Sequence, residues 1–207
     1  MSHFFETINC RDGQLYLLDY HQERVNRTFR AQFPQANPFR LSPLLESQIP
    51  NQDWFRCRVS YDSLKQKVEF IPYRLAEHQS LQLVEVADFT YPFKSENRSF
   101  FNDAVASSPC SDVLFTQNGF LTDSSYANVC LLENGVWYTP EKPLLLGVKR
   151  QFLLDQEKIK TRSIHCDDLA RYEKIALINA LRDFERVYAF TLKDRVLYLQ
   201  KAANWTD

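Results

Sequence analysis

The chain has 207 residues, of which 44% are hydrophobic and 25% charged, an ordinary globular composition with enough apolar residues to bury a core. Its 25 lysines and arginines nearly balance its 26 aspartates and glutamates, and the charges are scattered, so nothing favours a nucleic-acid or membrane partner. There is no secretory signal pattern and no apolar run near the roughly 18 residues of a membrane span, which predicts a soluble, cytoplasmic protein.

The first 87 residues predict a small α+β domain. Residues 2–18 contain two β-like runs joined by a turn at Gly13, and Asp19 then stands in a position to cap a helix that continues to about residue 33. A short helix near residues 42–48 and three alternating strands follow. Those strands lie in the runs DWFRCRVSYDS, QKVEFIPYR and SLQLVEV.

The pattern resets near residues 86–90, and we place a domain boundary there, so that residues 88–207 form a larger, β-rich domain. A helix is predicted in NRSFFNDAVAS, and strands linked by Asn-Gly hairpins come after it. Another helix is expected directly after Gly147, and then a strand, a short helix and the apolar run IALINALRD. A final hairpin is predicted to turn at Lys193 and Asp194.

The five cysteines are an odd number, are dispersed along the chain, and are never spaced as C-x-x-C. This usage favours reduced thiols over a disulfide framework or a zinc site, so we predict no metal site. His165 and Cys166 are adjacent, whereas a thiol hydrolase needs a cysteine and a histidine that face each other. Neighbours on one strand point to opposite faces. We therefore interpret them as one buried thiol and one exposed imidazole beside a helix cap.

Three of the four glycines lie in Asp-Gly or Asn-Gly pairs between β-like runs, where a hairpin turn needs a positive φ: Gly13, Gly119 and Gly135. Gly147 differs, because it follows three leucines and precedes the first turn of a predicted helix. A glycine at the start of a helix lets a ligand phosphate approach the free N–H groups of the first turn. A simple loop, or close packing of the helix on a sheet, is the alternative explanation.

Two further stretches carry groups suited to chemistry. Lys94 follows the aromatic run FTYPF, and a lysine partly desolvated by aromatic rings can lose its proton near neutral pH and act as a nucleophile or base. The alternative for Lys94 is an ordinary solvated ammonium. The segment TDSSYAN, residues 122–128, sets Asp123 beside a cluster of hydroxyl groups at the end of a predicted strand.

Taken together, these stretches resemble class IV aminotransferases, the fold-type IV pyridoxal-phosphate enzymes, and within that family the small aminodeoxychorismate lyases. The resemblance covers nearly the whole chain. Its segments are FETINCRDGQLYLLDYHQERV (5–25), KSENRS (94–99), LTDSSYANV (121–129), YTPEKPLLLGVKR (138–150) and INALRDF (178–184). The resemblance implies a two-domain α/β enzyme of the α+β type that binds pyridoxal 5'-phosphate between its domains and forms a homodimer.

The resemblance also implies roles for individual residues. Lys94 matches the family's Schiff-base lysine, Asp123 matches the carboxylate that faces the pyridine nitrogen, and Arg24 matches the phosphate-binding arginine. Asn128 matches an asparagine for which we expect a mainly structural role. The phosphate-cradling helix start and a second turn match Gly147, Val148, Lys149, Asn179 and Ala180.

The chain departs from the family in three places. Met1 stands almost directly before the first strand, where many members have an extra strand and a Gly-rich stretch. Many members have a glutamate in place of Asp123. The usual threonine is replaced by Lys149, which loses a hydroxyl donor but could offer the phosphate a full charge. None of these changes removes an indispensable group.

For the reaction, the resemblance favours elimination of pyruvate from 4-amino-4-deoxychorismate to give 4-aminobenzoate, a step of folate biosynthesis. Transamination of a D- or branched-chain amino acid is the alternative, and a catalytically inactive homologue that binds the cofactor is an alternative of another class. Both active alternatives take a small-molecule amine substrate, and in both Lys94 moves the proton. Arg74 and His78 could meet a substrate carboxylate, or they could belong to an exposed charged loop.

Overall fold

The computed structural model describes residues 3–202, and within that range the chain is mostly β-strand with four α-helices, which confirms the mixed α+β class. The described residues form two compact units. The first takes the chain up to Leu75 and the segment Phe93–Asn97, and the second takes Ala76–Pro92 and the chain from Arg98 onward. The chain thus enters the second unit earlier than the boundary between residues 87 and 88 that the sequence predicts, because the strand in SLQLVEV pairs within the second sheet.

The first unit is built on a four-stranded antiparallel sheet in the order β2–β1–β3–β4. Ile8 and Val59 from the sheet pack in one cluster with Val25 and Phe29 from the first helix, so the apolar side of this helix is buried. The elements of the unit are β1 (Phe4–Arg11), β2 (Gln14–Leu15), α1 (Leu18–Gln32), α2 (Leu41–Leu45), β3 (Trp54–Tyr61) and β4 (Gln66–Pro72).

Helix α1 begins earlier than predicted. The predicted strand through residue 18 is wrong, because β2 ends at Leu15 and Leu17 takes a left-handed conformation, φ 57° and ψ 32°, directly before the helix. Asp19 is therefore not the capping residue but lies in the first turn, where its negative charge still stabilises the positive end of the helix dipole. The buried face of α1 includes three polar residues, His21, Arg24 and Thr28.

The second unit is a nine-stranded sheet in the order β10–β9–β8–β11–β12–β13–β5–β6–β7. An additional pairing of β7 with β8, through Asp123 opposite Asn128, joins the seven strands from β8 to β7 in that order into a closed ring. The unit's elements are β5 (Ser80–Glu85), α3 (Ser99–Ala106), β6 (Asp112–Gln117), β7 (Phe120–Ser124), β8 (Asn128–Glu133), β9 (Val136–Pro140), α4 (Val148–Asp155), β10 (Lys160–Arg162), β11 (Lys174–Ile178), β12 (Val187–Lys193) and β13 (Val196–Lys201).

Most of the turns and helices predicted from local sequence signals are present in the structure. The three turn glycines have φ values of 76° to 78°, and α3 and α4 lie where helices were predicted. The predicted helix in DDLARYEKI is a 3-10 turn over Cys166–Arg171, and the apolar run after it begins as strand β11. No helix among residues 3–202 is long and apolar enough to cross a membrane.

Candidate functional site

The predicted site residues are divided between the two compact units. Arg24, Arg74 and Lys94 belong to the first unit. The second unit holds the remaining ones, which are His78, Asp123, Asn128, Gly147, Val148, Lys149, Asn179 and Ala180.

In the first unit, Arg24 is buried on α1 and forms a two-pronged ion pair with Glu6 of β1. Its Nε donates to Glu6 Oε1 at 2.9 Å, and its Nη2 donates to Glu6 Oε2 at 2.5 Å. His21, three residues earlier on the same helix, lies with Nδ1 at 2.6 Å from Glu6 Oε2. Glu6 and His21 are fully buried, so the three side chains form one polar cluster inside the unit.

The charges of this cluster follow from its contacts. Burial raises the pKa of Glu6, but Arg24 and His21 outweigh burial and bring that pKa down to about 2. Burial lowers the pKa of His21, so its ring is neutral at pH 7. An ionised carboxylate only accepts hydrogen bonds, so His21 donates from Nδ1. The Nε–Nη2 edge of Arg24 is committed to Glu6, and a phosphate would have to approach the guanidinium from another edge.

Lys94 is held against the first strand by its backbone. Phe5 N donates to Lys94 O at 3.0 Å, and the next residue, Ser95, forms a bridge with Phe4. The side chain is half-buried, and its Nζ lies 4.6 Å from the centre of the Phe5 ring. An aromatic face therefore replaces part of the water around the amine. The charge of Lys94 also adds to the burial that lowers the pKa of His21.

In the second unit, Asp123 of β7 is 4% exposed and accepts hydrogen bonds from neutral donors. Asn128 Nδ2 donates to Asp123 Oδ1 at 2.7 Å, and Leu145 N donates to Asp123 Oδ2 at 2.8 Å. Burial outweighs these hydrogen bonds, a further one from the Leu144 backbone and the nearby charge of Arg150, and it raises the pKa of Asp123 to about 7. A carboxylate oxygen can accept two hydrogen bonds, so the group has the capacity to take a further donor, and a charged donor would favour its ionised form.

Gly147 stands directly before α4, and its close neighbour is Asn128 of β8. A Cβ atom at position 147 would lie 2.0 Å from Asn128 Oδ1. The backbone of Gly147 has φ −72° and ψ 143°, a conformation open to any residue, so lack of space and not φ accounts for the glycine. The close packing of a helix start on a strand, one of the two explanations left open by the sequence, is therefore sufficient.

An ion pair joins the two segments predicted to cradle the phosphate. Lys149 Nζ, in the first turn of α4, lies 2.7 Å from Asp183 Oδ2. Asn179 and Arg182 exchange backbone hydrogen bonds of 3.0 Å, which close a tight turn around Ala180. The first hydrogen bond within α4 runs from Gln151 N to the Gly147 carbonyl, so earlier N–H groups point out of the helix end. The charge that Lys149 could offer a phosphate is already balanced by Asp183.

His78 is buried in the second unit, whereas Arg74 is exposed in the first. His78 Nε2 lies 2.6 Å from the Tyr126 hydroxyl, and Arg182 Nη1 donates to the same hydroxyl at 2.6 Å. Burial lowers the pKa of His78, so its ring is neutral at pH 7 and offers no charge to a substrate carboxylate. The Tyr126–Arg182 contact ties the loop after Asp123 to the turn of Asn179.

His165 and Cys166 do not share a strand, so the premise of opposite strand faces is wrong: β10 ends at Arg162, and Cys166 begins the 3-10 turn. His165 Nδ1 accepts a hydrogen bond from Asp167 N at 3.3 Å and so caps this turn. Burial raises the pKa of the Cys166 thiol, which leaves it protonated and a weak nucleophile. Ligand atoms of His165, Cys166 and Asp167 lie within 4.8 Å of one another, but their contacts are those of a helix cap.

Sequence reasoning missed the partners of the predicted residues. One usable signal was the three-residue spacing of His21 and Arg24, which puts both side chains on one face of a helix. The other contacts join residues far apart in sequence, for which no local pattern exists. The partners without an assigned role were Glu6, His21, Tyr126, Arg150, Arg182 and Asp183.

Comparisons with known proteins agree with this architecture. Residues 3–189 match the amino-transferase class IV family. An uncharacterized protein of Haemophilus influenzae is 31% identical over 181 residues, which are 86% of this chain and 96% of that protein. The crystal structure of a provisionally named 4-amino-4-deoxychorismate lyase from Haemophilus somnus 129pt has a TM-score of 0.83 and 31% identity, and the match covers 87% of this chain and 97% of that one.

A more distant structure shows the fold alone. It is the PLP-bound form of a hypothetical aminotransferase from Mycobacterium tuberculosis, with a TM-score of 0.69 and 17% identity. The match covers 86% of this chain and 78% of that one.

Proposed function

Because the chain belongs to the amino-transferase class IV family, and is an enzyme of that family, we propose that it uses pyridoxal 5'-phosphate to eliminate pyruvate from 4-amino-4-deoxychorismate and release 4-aminobenzoate. The name of the Haemophilus somnus relative supports the choice of the lyase reaction. When bound, the cofactor supplies a ring that accepts electrons from the substrate.

One observation carries the cofactor part of the proposal: Asp123 is a buried acid whose contacts leave its charge unbalanced. Its hydrogen-bond donors, the Asn128 amide and backbone N–H groups, are neutral, and burial raises its pKa to about 7. A protonated pyridine nitrogen is a cationic donor, and such a donor both satisfies a carboxylate and lowers its pKa. The residues present at this position therefore fit the group.

The remaining residues have the chemistry that such a cofactor needs. Lys94, half-buried against the Phe5 ring, would hold the aldehyde and, once released, move the substrate proton. Arg24, the first-turn N–H groups of Val148 and Lys149, and the turn of Asn179 and Ala180 would bind the phosphate.

The proposal is tested first by absorbance. The purified protein incubated with pyridoxal phosphate should retain a visible absorbance band after gel filtration, and Lys94→Ala should lose it. Lys65→Ala is the matched control, because Lys65 is an exposed lysine of the same unit. Absence of a bound aldehyde in the unmodified protein would reject the cofactor.

The reaction is then tested with two substrate mixtures. Enzymatically made aminodeoxychorismate should yield 4-aminobenzoate, and an amino acid with 2-oxoglutarate should show no amino-group exchange. The reverse result would overturn the lyase in favour of a transaminase. Bound cofactor with no product from either mixture would identify a catalytically inactive homologue and would also overturn the lyase.

A further inference from the structure

Asp123 and Asn128 are opposite residues where strands β7 and β8 meet, at the pairing that closes the ring of strands. The turn between them is compact: Ser124 N donates to the Ala127 carbonyl at 2.9 Å, and Ala127 N donates to Ser124 Oγ at 3.2 Å. Directly opposed residues of antiparallel strands carry their side chains on the same face, about 5 Å apart at Cβ. The backbone thus brings the amide of Asn128 to the carboxylate of Asp123.

The amide of Asn128 has a defined orientation. Nδ2 donates to Asp123 Oδ1 at 2.7 Å and to the Leu145 carbonyl at 2.9 Å, which uses both of its hydrogens. The reversed amide would place Oδ1 against two acceptor oxygens, so the assignment follows from the network. Leu145 N in turn donates to Asp123 Oδ2 at 2.8 Å, and the three residues form a closed loop of hydrogen bonds around the carboxylate.

This orientation aims Asn128 Oδ1 at Gly147. A Cβ at position 147 would lie 2.0 Å from Oδ1, closer than such atoms approach, and 3.2 Å from Cγ, a tight contact. Asn128 is 5% exposed, and it cannot swing aside without giving up both of its hydrogen bonds. A side chain at position 147 would therefore push the amide off Asp123.

We infer that Gly147 is required by Asn128, and that Asn128 is a positioning residue that holds the Asp123 carboxylate in place for a cationic ring nitrogen. This inference deepens the proposed function and rests on it for the identity of the cation. It gives the asparagine a role in the chemistry of the site, where the sequence predicted a mainly structural one. It also explains Gly147 by its contact with Asn128, a contact within the protein.

The steric part is tested on the cofactor-free protein by a double-mutant cycle in thermal unfolding. Gly147→Ala and Asn128→Ala should each lower the Tm. The double variant should unfold within about 3 °C of Asn128→Ala alone, because removal of the amide makes room for the new methyl group. Additive losses would overturn the inference. If Gly147→Ala alone does not fold, the double variant decides the result. A folded double variant supports the inference. If the double variant does not fold although Asn128→Ala does, the inference is overturned.

Gly135→Ala is the matched control. Gly135 has φ 76° and open space around its Cβ position, so alanine there is strained for backbone reasons only. Its effect should add to that of Asn128→Ala. This contrast separates a glycine required by a neighbour from a glycine required by its turn.

The positioning role of Asn128 needs a measurement that a change in stability alone does not alter. Carbon-13 NMR titration of Asp123 in the cofactor-free protein should show its pKa rising in Asn128→Ala and in Gly147→Ala, because each variant loses a donor to the ionised carboxylate. An unchanged Asp123 pKa in both variants would overturn the positioning role. Neither readout needs the cofactor, so failure of the protein to bind pyridoxal phosphate would reject the proposed function and would leave these results interpretable.

Discussion

Glu6 and Asp123 are two buried carboxylates, one in each compact unit, and their pKa values are shifted in opposite directions. For both, burial is the largest influence and raises the pKa, yet the pKa of Glu6 is lowered to about 2 and that of Asp123 is raised to about 7. The difference lies in the partners. Glu6 has a guanidinium in two-pronged contact, whereas the hydrogen-bond donors to Asp123 are the Asn128 amide and backbone N–H groups, all of them neutral. A cation in contact outweighs burial, and neutral donors do not.

This comparison separates an acid whose charge is balanced by an ion pair within the chain from an acid that lacks a counter-charge. The charge of Glu6 is balanced by Arg24, so this ion pair stabilises the fold and holds one edge of the Arg24 guanidinium. Asp123 is influenced by Arg150, but that guanidinium donates its Nη2 to the Pro140 carbonyl at 2.9 Å. A perturbed acid with unbalanced charge is the kind of group that marks a functional site.

The largest effect is expected from removing the cation of the Arg24–Glu6 ion pair. Arg24→Met leaves Glu6 charged and buried without its counter-ion, which costs about 3–5 kcal/mol. Urea unfolding at pH 7 should show this loss in the free energy of unfolding. A loss below about 1 kcal/mol would mean that the pair does not account for the charge state of Glu6.

The control for Arg24→Met is the same change combined with Glu6→Gln. Glutamine keeps an oxygen acceptor for the His21 ring and removes the buried negative charge. Most of the lost stability should therefore return, because neither charge remains. A double variant as unstable as Arg24→Met would point to lost packing of the arginine stem.

The second largest effect is the pH dependence that Asp123 imposes. Between its unfolded value near 3.8 and its folded value of about 7, the native acid keeps its proton and the unfolded acid loses it. Stability therefore falls as pH rises through this window, by up to about 4 kcal/mol in total. Asp123→Asn, neutral at every pH, should lack this fall when urea unfolding of the two cofactor-free proteins is compared at pH 4 and pH 7.

Glu6 provides the opposite slope at lower pH. Its folded pKa of about 2 lies below its unfolded value near 4.5, so its stabilisation is fully present above pH 4.5 and is lost as pH falls toward 2. If Asp123→Asn and the unmodified protein lose stability equally between pH 4 and pH 7, the contrast between the two acids is wrong.

The separation in sequence between contacting residues decides what the sequence could predict. Gly13, Gly119 and Gly135 adopt the predicted positive φ because a hairpin turn is set by residues adjacent in the chain. Gly147 also lies directly before a predicted helix that exists, but the atom that crowds it belongs to Asn128, nineteen positions earlier. No periodicity or motif reports such a contact.

The start of α1 shows a related limit. Asp19 has the residue type of a cap, yet the helix begins at Leu18 after a left-handed Leu17, which local propensity disfavours. The buried pairing of Arg24 with Glu6 joins residues 18 positions apart, on a helix and a strand. The resemblance named Arg24 for its charge, and only the fold shows that the charge is already balanced.

The smallest effect is expected from the partly exposed pair of Lys149 and Asp183. Their contact is 2.7 Å, but the side chain of Asp183 is 38% exposed, so water competes with Lys149 for the charge of Asp183. A double-mutant cycle of Lys149→Met and Asp183→Asn in urea unfolding should give a coupling below about 1 kcal/mol, and added salt should reduce it. A salt-insensitive coupling of about 3 kcal/mol would instead place this pair with Arg24 and Glu6. A weak coupling would let Lys149 exchange Asp183 for the proposed phosphate at little cost, whereas Arg24 would keep Glu6 and meet that phosphate through another edge of its guanidinium.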